Sequence, residues 1–86
     1  WDEKWRLVMF DIPEQKRNAR VGFMQKIQSL GFQLLQQSVW IHPYECKEAV
    51  YVAANYYGVA EWVTYMETDH IDNDVKLRQR FEKLFI

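Results

Sequence analysis

The sequence predicts an α+β domain of the ferredoxin-like type, a βαββαβ sandwich with one further helix at its C-terminal end. Three observations predict it. Apolar residues gather into four short strand-like stretches, and they recur at helical spacing in three others. Gly and Pro fall at the joints, at Pro13, Gly31, Pro43 and Gly58. Finally, a chain of 86 residues has room for one core, and at this size folding buries only about 60% of the surface the unfolded chain exposes.

The first strand covers residues 5–11, WRLVMFD, and Pro13 forbids its continuation. The same proline suits the start of a helix, where a missing N–H costs little. Ala19, Phe23, Met24, Ile27 and Leu30 then form one helical stripe, and Gly31 follows as its C′ residue. Residues 32–36 and 38–42 are two strands with almost nothing between them, so Gln37 and Ser38 must make a tight hairpin bend. A second helix runs over residues 45–57 on Cys46, Ala49, Val50, Ala53 and Tyr57, and Gly58 ends it. The fourth strand covers residues 61–67, with Trp62, Thr64 and Met66 on one face. After the polar stretch TDHIDND, a last helix is expected over residues 73–85, with Asp72 as its cap and Val75, Leu77, Phe81, Leu84 and Phe85 turned inward.

The first strand is apolar on both sides: Trp5, Leu7 and Met9 alternate with Val8 and Phe10. A half-solvated strand alternates apolar with polar residues, so both faces of the sheet must be covered. Two helices cover one. For the other, the expectation is the last helix in part and a second copy of the domain for the rest, packed face to face about a twofold axis. The aromatic load, 16% of residues including four Trp, fits such a homodimer interface. Trp5, Leu7, Met9, Trp40 and Trp62 are assigned to it.

Charge is balanced, 11 Lys and Arg against 12 Asp and Glu. Bulk electrostatics therefore do not direct the domain to nucleic acid, and any such role rests on a local patch. The single Cys46 excludes an internal disulfide and a multi-cysteine metal site, and it fits a reducing, cytoplasmic setting. No apolar run is long enough to span a membrane. The chain reads as one domain, residues 1–86. Because it opens on Trp1 and not Met, a piece cut from a longer protein is expected.

Two stretches carry a family resemblance. LVMFDIPEQKRNAR, residues 7–20, is a strand ending in Asp that turns into a basic helix start; LGFQLLQQSVWIHP, residues 30–43, places Gln-Ser-Val-Trp at a hairpin. Together they resemble the small CRISPR-associated Cas-two proteins, and more closely the Cas-two-like central domain of PaaX-type transcriptional repressors. The resemblance implies a ferredoxin-like homodimer. In the nuclease members the Asp ending the first strand faces its dyad mate, and the pair holds one divalent metal such as Mg²⁺; Asp11 takes that position here and Ser38 matches the hairpin serine. In the repressors an N-terminal winged-helix domain reads the operator, and no such segment is expected within these 86 residues.

Asp11 is the sharpest candidate. Phosphodiester hydrolysis needs carboxylates around a hard cation. One Asp per chain cannot supply them, but two across a dyad can. The competing reading is that Asp11 caps the following turn. Lys16, Arg17 and Arg20 cluster on about one helical turn and would neutralise nucleic-acid phosphates; an ordinary solvated face competes. His42, His70 and Cys46 have no partners at metal or nucleophile spacing. Trp5, Trp40, Trp62 and Tyr65 are read as packing and not as base-stacking platforms, since the accompanying charge is missing. The function these readings favour is a non-catalytic dimerisation or scaffolding domain of a PaaX-type regulator. The alternative is a metal-dependent endonuclease acting on RNA or DNA through paired Asp11 residues.

Overall fold

The computed structural model describes residues 1–85. Strands β1 (Trp5–Phe10), β2 (Gln33–Gln36), β3 (Val39–His42) and β4 (Val63–Thr68) form one antiparallel sheet in the order β2-β3-β1-β4. Helices α1 (Arg17–Ser29) and α2 (Lys47–Tyr56) connect them, and α3 (Val75–Arg80) follows. The central strand β1 stands opposite β3 from Arg6↔His42 to Met9↔Val39, and opposite β4 from Trp5↔Thr68 to Phe10↔Val63.

Alternation along these strands separates two faces. On the first, Val8, Phe10, Trp40 and Val63 meet Phe23 and Ile27 of α1 and Val50, Ala53 and Ala54 of α2. This is the main core. On the second, Trp5 and Ile41 meet Leu77 and Phe81, with Trp1, Leu7, Leu35, Ile71 and Phe85 packed around them. Trp1 stacks on Phe85 with ring centroids 4.6 Å apart, so the two ends of the chain close over Trp5 together.

Three expectations change here. Trp5 is only 1% exposed within the chain itself, so α3 and Trp1 supply the cover assigned to a partner over that half of the second face. Trp40 lies on the other face: the ladder sets it opposite Val8, while Ile41 stands opposite Leu7. One position along a strand reverses the face, so Trp40 belongs to the α1–α2 core. Trp62 is not in a strand; Ala60–Trp62 is a 3₁₀ turn, and β4 begins one residue later.

The last helix is also shorter than its periodicity implied. Asn73 has φ of +61°, α3 starts at Val75, and a 3₁₀ turn, Glu82–Leu84, replaces its end. Asp72 does not cap it, pairing instead with the His70 ring at 3.0 Å. Leu77 and Phe81 are buried as expected, whereas Val75 and Leu84 face outward. Gly31, with φ of +101°, does terminate α1.

Candidate functional site

Asp11 lies one residue beyond the β1–β4 ladder, and its backbone N–H donates to the Trp62 carbonyl at 3.2 Å. The residue is exposed. Its carboxylate has no hydrogen bond or ion pair among the described residues, and the 3₁₀ turn Glu14–Lys16 that follows has no side-chain cap. The capping role therefore gives way: Pro13 holds the N-cap position, and the carboxylate faces solvent.

What the fold places around Asp11 is a shallow groove of about 250 Å³, lined by Met9, Asp11, Ser38, Val39, Trp62 and Thr64 among others. Ser38 reaches it from the β2–β3 bend, where its φ is +61° and its carbonyl accepts from the Phe10 N–H at 3.4 Å. A non-glycine residue in the left-handed region is uncommon, and here the tight bend imposes it, next to a bulge between Leu34 and Gln36. The two residues singled out by the sequence motifs, 27 positions apart, thus share one groove.

The basic trio is divided. The Lys16 ammonium lies over the Trp62 ring, 5.6 Å from its centroid. Arg17 and Arg20 turn toward the hairpin, where they line a separate cleft of about 370 Å³ with Val21, Met24, Leu34 and Trp40. Arg20 pairs with Glu14 at 3.3 Å. No single face presents three free cations. No group of three His, Cys, Asp or Glu that could hold a metal exists among the described residues, so Asp11 has too few companions in its own chain.

The strongest polar cluster lies at the opposite end of β1, and sequence reasoning gave it no role. Arg6 is 3% exposed. Its Nη1 and Nη2 donate to the two carboxylate oxygens of Asp2 at 2.7 Å each, and its Nε donates to Glu67 at 3.1 Å. The carbonyls of Lys4 and Pro43 accept from Nη1 as well. Those hydrogen bonds hold the Asp2 and Glu67 carboxyls below the usual carboxylate range and raise Arg6 further. Tyr65 donates to the same Glu67 oxygen at 3.1 Å. Burial pushes the neighbouring Cys46 thiol up to about 11 and lowers His42, whose Nδ1 accepts from the Tyr44 N–H at 3.0 Å. One signal was present in the sequence: an arginine inside an otherwise apolar strand, with an aspartate four residues earlier.

One antiparallel sheet with two helices on its first face and a C-terminal helix on its second defines a ferredoxin-like α+β domain. The model of the PaaX protein central Cas2-like domain matches residues 1–79, and the chain belongs to that family. No curated protein and no solved structure matches it.

Proposed function

We propose that this domain is the dimerisation or scaffolding part of a PaaX-type transcriptional regulator and that it performs no chemistry of its own. One observation carries the reading. Where α3 stops, the second face of the sheet is left with a partly uncovered strip of Met9, Val39, Thr64 and Met66, the first three of which also line the Asp11 groove. Unpartnered apolar surface on so small a domain marks an interaction site. The divided basic residues support leaving operator reading to another part of such a regulator, with a cytoplasmic setting to match. Sedimentation velocity from micromolar to millimolar concentration tests the reading. A concentration-dependent dimer is expected, and a monomer throughout overturns it.

A second reading keeps one observation in its favour, the solvent-facing Asp11 carboxylate with no partner of its own. Two copies that brought these carboxylates together would create a site for Mg²⁺ and a metal-dependent nuclease acting on RNA or DNA. It requires a dimer whose axis passes close to Asp11.

A further inference from the structure

Charge is balanced over the whole chain but not along it. Between Glu14 and Glu45 there is no carboxylate side chain, yet Lys16, Arg17, Arg20 and Lys26 all fall there. This acid-free stretch builds α1 and the β2–β3 hairpin, and the cleft of about 370 Å³ lies between those two elements. The cleft therefore has a cationic setting in a chain whose net charge is −1.

Helical spacing explains one wall of it. Arg17, Arg20, Val21 and Met24 stand at i, i+3, i+4 and i+7, so they share a flank of α1. Tyr57, just past α2, lies against a different flank, at Gly22. The buried Phe10 and Trp40 form the floor of the cleft, and the hairpin rim carries Leu34, which is 50% exposed. Val21 and Met24 are half-buried. Arg17 is exposed and takes part in no ion pair among the described residues. Arg20 pairs with the exposed Glu14 at 3.3 Å, and a surface pair of that kind holds its partners weakly.

We propose that this cleft docks an amphipathic helix of a protein partner, with apolar side chains in the cleft and acidic side chains against Arg17 and Arg20. The cleft lies on the first face of the sheet and the Met9–Met66 strip on the second, so the inference goes beyond the dimerisation reading and does not depend on it. A flank that repeats at i, i+3, i+4 and i+7 is what a neighbouring helix packs against. An apolar centre with charge at its edge is the anatomy of a protein interface. Charge complementarity fixes the sign of the partner, since the arginines lack acids around them and reward a partner that brings some. Two other occupants fit less well. A nucleic-acid strand needs cations that track its backbone, and here Lys16 sits over Trp62, away from the two arginines. A small ligand is enclosed over about 70–90% of its surface, and a cleft whose rim leaves Leu34 half exposed stays open on that side.

The test selects a displayed library of roughly 15-residue helical peptides, a length at which helices begin to hold in water, against the full chain. Enriched sequences are expected to carry two large apolar residues three or four positions apart, flanked by Asp or Glu. A synthetic copy of the strongest is expected to shift the amide resonances of Val21, Met24 and Leu34. It should bind Arg17→Glu at least ~10-fold more weakly than the parent and lose affinity in high salt. Arg17→Gln, which removes the charge without reversing it, is expected to lose less and to keep the parent's unfolding midpoint. A library with no enriched sequence overturns the proposal, as do enriched peptides without acids, equal affinity for Arg17→Glu, or shifts confined to other surfaces. Displacement of the peptide by octanoate or by a single-stranded oligonucleotide, at concentrations below the peptide's own dissociation constant, also overturns it and reassigns the cleft to that class.

Discussion

Asp2 grips the buried Arg6 guanidinium with both carboxylate oxygens at 2.7 Å, and Glu67, directly opposite it on the neighbouring strand β4, takes the Nε at 3.1 Å. The hydrogen bonds from Arg6 hold both carboxyls below their ordinary values of 3.8 and 4.5. A depressed carboxyl adds stability that is complete above its unfolded value and is lost as pH falls through its folded value. His42 behaves likewise from a higher start: burial lowers it from 6.5, so its contribution begins to fade as pH drops below that value. Urea midpoints are therefore expected to fall in two stages on acidification, first below about pH 6.5 and then below about pH 4.5. Arg6→Met should flatten the second stage and weaken the first only in part, since burial is the main cause of the His42 shift and the Arg6 charge a lesser one. An unchanged acid limb in that variant would mean that the cluster does not govern acid unfolding.

Trp5 separates core from interface. It is buried among Trp1, Ile41, Leu77 and Phe81 of its own chain. Trp5→Ala is expected to cost about 3–5 kcal/mol, the range for emptying an aromatic site. That is much of the stability of so small a domain. In a stabilised background, the dimer dissociation constant should be unchanged. A variant that keeps its unfolding midpoint but loses self-association would return Trp5 to the interface.

The periodicities gave the element order, the α1 stripe and the hairpin because those depend on local spacing. What they could not give depends on register and distance. Trp40 changes face with a single step along β3, and the step is set by the bend at Gln37 and Ser38 together with the bulge beside it. Trp62 left its strand because the chain makes a 3₁₀ turn after Gly58 before it reaches β4. Arg6 finds Glu67 across 61 residues, a pairing that no window of sequence contains. At the candidate site, Asp11 and Ser38 were legible as motif residues, and their common groove was not, since it needs β1, the hairpin and the 3₁₀ turn in place together.

Gly31 has two reasons to resist substitution. Its φ is +101°, and a methyl group there would lie 2.8 Å from the His42 Nε2. That imidazole is held from the other side by the Tyr44 N–H on its Nδ1. Gly31→Ala is expected to destabilise by about 1–3 kcal/mol, from backbone strain and the displaced ring. Gly31→Ala combined with His42→Ala measures the coupling. If the two losses simply add in urea unfolding, the clash contributes nothing and strain alone accounts for the effect.

Asp11 decides between regulator and nuclease. It stands exposed in its groove, and no group of three His, Cys, Asp or Glu that could hold a metal is found among the described residues. One carboxylate with water is a weak site for Mg²⁺, which requires near-octahedral oxygen coordination. Isothermal titration with Mg²⁺ or Mn²⁺ is therefore expected to show no saturable binding, and labelled RNA and duplex DNA to survive incubation with either ion. Asp11→Asn should leave both results and the unfolding midpoint unchanged, since its side chain touches nothing that folding uses. Cleavage that depends on the metal and vanishes in Asp11→Asn would place two Asp11 residues together. That outcome would reject the non-catalytic reading and establish the nuclease reading in its place.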